Sequence, residues 1–238
     1  MTARKRGVFI SFEGGEGSGK TTQTRALVRL LQMLDFDVLH LREPGGTRIG
    51  ESIRDILLDT NNTELSPRAE LLLYEAARAQ IVDQVIAPAI AQAKIVICDR
   101  FCDSTYAYQG FGRGLSLDAI ESMNSFATNG LMPDRTIYLE LPPQLGLSRA
   151  TRRSSDRIEN AGDEFHARVH EGFMDLAAKY PDRFRLVHTR EDKRDTFQAI
   201  LDEILDLFWE LDAKDTSWLA YSKAQELFAK DGGARDAR

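Results

Sequence analysis

Residues Gly14-Gly15-Glu16-Gly17-Ser18-Gly19-Lys20-Thr21 fit the pattern G-x-x-x-x-G-K-[ST], with Thr22 continuing it. They follow an apolar run, Val8–Phe12, and precede a helical pattern that extends to Leu34. A glycine loop between strand and helix lets successive backbone N–H groups converge on a polyphosphate, and the helix N-terminus adds positive potential. Lys20 supplies a mobile ammonium and Thr21 a hydroxyl suited to Mg²⁺. The chain is therefore expected to bind a nucleoside triphosphate, with Gly14, Gly15, Gly17, Ser18, Gly19, Lys20, Thr21 and Thr22 around its phosphates.

This loop needs a parallel sheet to present it, and the rest of the chain has that pattern. Strands are expected at Val8–Phe12, Asp37–Leu41, Lys94–Asp99, Arg135–Leu141 and Arg183–His188. Helices are expected at Lys20–Leu34, Thr47–Leu58, Arg68–Gln92, Leu117–Thr128, Pro143–Arg152, Glu164–Lys179 and Lys193–Leu211. Ser66-Pro67 reads as an N-cap followed by a first-turn proline. Alternating strands and helices imply a three-layer α/β/α fold around a five-stranded parallel sheet. At 238 residues the chain has room for one large domain with a full core.

Composition narrows the partners. The formal charge of −6 argues against a broad surface for nucleic acid or acidic membrane, so an anionic substrate must meet local arginines. No apolar run approaches membrane-spanning length, and the first six residues lack the apolar stretch of a secretion signal, so a cytoplasmic protein is expected. Cys98 and Cys102 are too few for a disulfide framework and are read as reduced and inert.

In an open parallel sheet, ligands bind at the carboxyl ends of strands. Asp99 closes the apolar strand Lys94–Cys98, where it reads either as support for Mg²⁺ or as a strand-end cap. Arg100 offers a fork for phosphate oxygens or forms a structural ion pair. Glu43-Pro44-Gly45-Gly46 is a turn by composition. Tyr74 and Arg78 are four apart on one expected helix, a spacing that suits either packing or a stacked base with a neighbouring cation. Arg149, Arg153 and Arg157 also recur every four residues. Their mutual repulsion points to an anion held between them or to a solvated basic loop. His166 and His170 have a metal-ligand spacing but no evident third ligand, and are read as packing or surface residues.

Taken together, these segments resemble bacterial thymidylate kinases over roughly residues 7–212. The resemblance rests on Phe12–Thr22, on Arg42-Glu43-Pro44-Gly45-Gly46-Thr47, and on Asp99-Arg100 with Ser104–Gly110. Asp156-Arg157-Ile158-Glu159 is similar to the end of that family's lid. It implies a P-loop nucleoside monophosphate kinase fold, ATP as phosphoryl donor with Mg²⁺, dTMP as acceptor on the route to dTTP, and a homodimer.

It also implies roles. Tyr74 stands where the family stacks a phenylalanine on thymine, with Arg78 near the base. Arg54 and Arg100 grip the acceptor phosphate, Glu16 contacts the sugar 3′-hydroxyl, and Glu43 and Pro44 complete the acceptor site. Ser104, Thr105, Tyr108 and Gln109 read the thymine edge and crowd the 2′ position. The loop carries Gly17 and Ser18 where some members carry a catalytic arginine, so the chain resembles the lid-arginine type. Arg153 is then the first candidate for the transition-state cation, followed by Arg152, with Arg157 nearby. The kinase domain is expected to span 1–212, with a lid near 146–160. Residues 213–238 are expected to form an extension, a short helix followed by a frayed tail. The tyrosine at position 74 and the stretch His188–Asp192 depart from the family pattern.

Overall fold

The computed structural model describes residues 6–15, 17–141, 156–208 and 222–223. Among these residues five strands form one sheet: β1 (Val8–Gly14), β2 (Val38–Arg42), β3 (Ile95–Asp99), β4 (Arg135–Glu140) and β5 (Phe184–His188). Their order is β2-β3-β1-β4-β5 and every pairing is parallel. Each therefore needs a crossover, and helices cover both faces. The central strand β1 is buried along its whole length, which is why its sequence runs apolar without alternation.

The helices are α1 (Lys20–Met33), α2 (Arg48–Leu58), α3 (Pro67–Ile81), α4 (Ala87–Ala91), α5 (Cys102–Thr105), α6 (Leu117–Thr128), α7 (Asp163–Lys179) and α8 (Lys193–Ile204). One face of the sheet packs Ile10, Phe12, Ile97 and Leu139 against Leu27 and Leu30 of α1 and Phe197, Ile200 and Ile204 of α8. On the other, Phe9, Val96 and Cys98 meet Ile81, Ile86 and Ile90, while Tyr138 and Phe184 meet Phe173 of α7. The five-stranded α/β/α sandwich expected from the sequence is what forms. β1 lies between β3 and β4, so the chain leaves it in opposite directions along the sheet, and the phosphate loop sits at that switch point.

Local signals account for several boundaries. Thr47 and Ser66 accept the N–H groups of Gly50 and Ala69 as N-caps, with Pro67 in the first turn of α3. Two segments differ from expectation. Arg68–Gln92 was expected to be one regular helix; instead a π-helical turn, Val82–Ile86, separates α3 from α4, and the Ala87 N–H reaches back five residues to Val82. Pro88 lacks an N–H, and its ring would clash with the carbonyl four residues earlier, so widening the preceding turn accommodates it.

The segment after β3, to which the sequence reading assigned no element, is helical: α5 continues into a π-helical turn, Tyr106–Gly112. Packing against α7 supports it. A Cβ on Gly172 would lie 2.9 Å from the Ala107 Cα, and one on Gly112 would lie 2.6 Å from the Phe165 ring, so only glycines permit this approach. The expected helix Pro143–Arg152 lies outside the described residues, as does most of the extension from 213. Helix α8 ends at Ile204 and continues as a 3₁₀ turn, Leu205–Phe208, while 209–211 are not described.

A buried polar cluster ties α5 to the sheet. Arg183 donates to both carboxylate oxygens of Asp103, at 2.7 and 2.8 Å. Thr136 donates to Asp103 at 2.8 Å and shares a hydrogen bond with Ser11 at 2.7 Å. Removing one member of a buried pair strands the other charge. Arg183→Leu is therefore expected to lower stability by about 3–5 kcal/mol, seen as a lower urea midpoint at an unchanged slope. A loss below about 1 kcal/mol would assign the cluster no structural weight.

Candidate active site

The phosphate loop is shaped by backbone that only glycine adopts freely: Gly17 has φ 68° and Gly19, at the N-cap of α1, φ 85°. A Cβ built on Gly15 or Gly19 would meet nothing within 4 Å, so the loop faces open space. Helix α1 has no side-chain cap and no acid in its first turn, which leaves its N-terminal N–H groups for an anion. Lys20 Nζ holds the loop by donating to Gly14 O at 2.8 Å and Gly15 O at 3.2 Å. Thr189 Oγ1 reaches Ser18 O at 3.4 Å, placing the turn after β5 against the loop. Thr21 and Thr22 are exposed on the first turn of α1.

Beside it, across the carboxyl ends of β2 and β3, opens a cavity of about 690 Å³ including its mouth. Glu43, Pro44, Arg54, Tyr74, Arg78, Arg100, Ser104, Thr105, Tyr108 and Gln109 all line it, joined by Asp156, Ile158, Glu159 and His166 from the segment before and within α7. Ten residues singled out in the sequence thus converge on one hollow. Glu16, Arg152 and Arg153 lie outside the described residues.

The mouth is basic. Arg54 is half-buried and donates to Pro44 O at 2.9 Å; burial, then Arg42, lower its pKa. Arg100 follows β3 with φ 71°, a left-handed conformation that costs a non-glycine residue about 1–2 kcal/mol. Its guanidinium stacks 5.0 Å from the Tyr108 ring centroid and donates to Ser104 Oγ at 3.2 Å. Strain at such a position marks a side chain held for a purpose.

Behind Arg100 stands Glu13, fully buried at the end of β1. Its two oxygens accept the Phe101 N–H at 2.8 Å and the Ser104 hydroxyl at 2.6 Å, and Arg100 Nη1 lies 3.9 Å away. Burial, opposed by Arg100 and reinforced by Asp103, pushes its carboxyl up to about 7. Glu13 carries no role in the sequence reading, although an acid inside an apolar strand was a visible signal.

Arg78 is 2% exposed. Nε donates to Glu43 Oε2 at 3.0 Å, and Nη1 contacts Glu75, Thr105 and Asn124 at 2.8–2.9 Å. None of these bonds uses Nη2, and Glu43 Oε1 is buried without a partner among the described residues. Burial pushes the Glu43 carboxyl up to about 7 against the pull of Arg78. Tyr74 is partly exposed at the cavity wall; burial, then Glu70, raise its phenol pKa.

The foot of the expected lid is held in place. Arg157 Nε donates to Leu57 O at 3.0 Å, and Nη2 meets Glu70 Oε2 at 2.6 Å. Glu70, fully buried, also accepts from Gln109 at 2.8 Å and from Arg113 at 3.1 and 3.0 Å. Burial alone would raise its pKa, but Arg113, Gln109 and Arg157 hold it below the ordinary value. Arg157 thus anchors a segment here, and no sequence signal pointed to Glu70. The two histidines diverge: His166 Nε2 meets Glu159 O at 3.2 Å, and His170 Nδ1 meets the Tyr138 hydroxyl at 2.9 Å. Cys98 and Cys102 are free and buried, and burial raises both thiols well above their usual range.

A phosphate loop at the switch point of a parallel sheet, facing a second hollow with an arginine-lined mouth, defines a P-loop nucleoside monophosphate kinase. The comparisons narrow this class. The family model "Thymidylate kinase" matches residues 12–200. The thymidylate kinase of Thermoanaerobacter sp. (strain X514) is 44% identical over 199 residues, 84% of this chain and 98% of its own. That of Synechococcus sp. (strain JA-2-3B'a(2-13)) is 53% identical over 176 residues, 74% of this chain and 84% of its own. The crystal structure of thymidylate kinase from Ehrlichia chaffeensis superposes with a TM-score of 0.69 at 34% identity, covering 84% of this chain and 98% of that one. The chain belongs to the thymidylate kinase family, the ATP-dependent kinases of dTMP.

Glu13 generates a pH prediction. Its folded value of about 7 exceeds the ordinary 4.5, so between these values the folded state binds more protons than the unfolded one. The stability it contributes is present below about 4.5 and is lost as pH rises through about 7. Glu13→Gln should remove that loss, so urea midpoints of variant and wild type diverge in the variant's favour between pH 5 and 8. Parallel pH profiles would count against this state of Glu13.

Proposed function

We propose that the γ-phosphoryl group of ATP, bound on Gly14–Thr22, passes in line to the phosphate of dTMP held in the cavity by Arg54 and Arg100. The observation that carries this reading is the juxtaposition of an open phosphate loop with a separate basic-mouthed hollow at one sheet edge. The dTMP phosphate is already an anion near neutrality, so its oxygen attacks without a strong general base; ADP leaves and dTDP forms. Positioning and charge neutralisation then supply most of the rate.

Tyr74 stacks on the thymine, Arg78 Nη2 and Gln109 address its polar edge, and Ser104, Thr105 and Tyr108 pack around the sugar and base. Glu43 and Pro44 form the floor of the mouth, and Glu16 meets the 3′-hydroxyl. Thr21 and Asp99 are the residues that would hold Mg²⁺. Thr21 is exposed at the start of α1, and Asp99 ends β3 in register with Phe12 of β1, so both offer hard oxygen donors beside the loop. Among the described residues no cluster of three acids, histidines or cysteines forms a metal cage, which suits an ion shared with substrate phosphates. When bound, that ion neutralises charge on the transferring group. Closure of the segment near 146–160 brings Arg153, with Arg152 beside it, to the transition state and excludes water.

We also read the enzyme as a cytoplasmic homodimer, since ATP and deoxynucleotides are cytoplasmic metabolites. Leu72 and Ala76 on α3, and Ala119 and Phe126 on α6, are exposed on two neighbouring helices; Phe126 is 89% exposed, and a second copy would cover them.

A coupled assay with ATP and each of dTMP, dUMP, dCMP and dGMP tests the acceptor. Highest kcat/KM is expected for dTMP, and preference for another nucleotide would reject the reading. Arg153→Ala is expected to depress kcat by about 10³ or more while dTMP KM stays within a few-fold. A raised KM with preserved kcat would instead make Arg153 a binding residue.

A further inference from the structure

The Glu70 carboxylate does not line the cavity, yet it contacts the π-helical turn Tyr106–Gly112 with its C-cap Arg113, and Arg157 in the segment before α7, both of which border it. It belongs to α3, one turn before Tyr74 and two before Arg78, so all three residues share one helix face. Its oxygens accept three hydrogen bonds, Gln109 Nε2 and Arg113 Nε on Oε1 and Arg113 Nη2 on Oε2, and Arg157 Nη2 forms an ion pair with Oε2 at 2.6 Å. Arg113 in turn stacks 4.6 Å from the Phe165 ring centroid, at the start of α7. Two guanidiniums facing one buried carboxylate keep it ionised, and the direction of its pKa agrees.

An ionised carboxylate only accepts hydrogen bonds. A neighbouring primary amide must therefore turn its NH₂ toward it, whatever the amide would choose alone. Gln109 is 2% exposed and lines the cavity. Its Nε2 is committed to Glu70, while its Oε1 has no donor among the described residues. We propose that Glu70 is a specificity-determining positioning residue: by capturing the Gln109 NH₂ it presents the Gln109 amide oxygen to the bound base and so selects a base edge that donates a hydrogen bond there.

A pyrimidine imide, with N3–H, satisfies that oxygen. Cytosine, whose N3 accepts, sets acceptor against acceptor. Without Glu70 the amide could rotate by half a turn and serve either base. Because Glu70 also holds Arg157, the same carboxylate fixes the foot of the segment that precedes α7, and the base-reading amide and that segment share one anchor. This inference rests on the cavity being the dTMP site.

The test compares Glu70→Gln with wild type for kcat/KM on dTMP and dCMP, with ATP KM as control. A glutamine retains the size of Glu70 but donates as readily as it accepts. The dTMP-over-dCMP ratio is expected to narrow at least about tenfold, with ATP KM within twofold. A folded Glu70→Gln protein with lower stability and an unchanged ratio would overturn the proposal, because a purely structural carboxylate would not move selectivity. A second measurement needs no variant. In wild-type protein, the ¹⁵N-resolved side-chain amide of Gln109 should show at least one proton protected from solvent exchange. Both protons exchanging at free rates would overturn the proposal even if Glu70→Gln does not fold. Wild-type protein that prefers another nucleotide to dTMP would reject the acceptor assignment separately, and the Gln109 exchange rates would still decide the link to Glu70.

Discussion

The acceptor side of this enzyme is organised around one buried cation. Arg78 gathers Glu43 from the turn after β2, Glu75 from its own helix, Thr105 from α5 and Asn124 from α6, with the Phe101 ring 5.5 Å from its guanidinium. Such a group is costly to desolvate and is tolerated only when its donors are matched, so the four elements must meet at one point and orientation. That requirement fixes the walls of the cavity. The same helix face carries Glu70 and Tyr74, so α3 supplies the hub, part of the cavity wall and the anchor of the neighbouring segment from residues four apart.

Carboxylates do quieter work behind the arginines. Glu13 sits at the end of the strand that leads into the phosphate loop, yet it bonds the Phe101 N–H and the Ser104 hydroxyl on the acceptor side. Donor and acceptor machinery are thereby joined through one buried side chain rather than through a flexible connection. Glu70 plays the matching part for Gln109 and for Arg157, and Asp103 locks the start of α5 onto β4 through Thr136 and Arg183. For a reaction that depends on placing two anionic substrates in line, this rigidity is the means by which binding becomes catalysis.

Much of this was legible in the residues. The strand, glycine loop and helix at Val8–Leu34 announce themselves because each obeys a local rule: apolar continuity, positive φ at glycine, and a helical repeat. Strand positions held to within a residue or two for the same reason. Arg54, Tyr74, Arg78, Arg100 and Gln109 were found through strand-end logic and resemblance, and all line the cavity. The helical turn at Tyr106–Gly112 was missed because two glycines argue locally for a loop, whereas its stability comes from close contact with α7. Glu70 was missed because an acid in a helix is ordinarily a solvated residue, and its three partners come from positions 109, 113 and 157.

The sequence by itself determined the sheet, the phosphate loop and the class of chemistry, because these follow from short stretches whose backbone preferences need no distant partner. Tertiary structure alone decided which polar side chains face substrate and which hold others in place. Arg78 reads the same in sequence whether it grips a ligand or a scaffold, and Glu70 the same whether it meets water or two guanidiniums. That distinction depends on burial and on groups brought together from distant parts of the chain, where the loss of water makes each hydrogen bond a constraint on every neighbour.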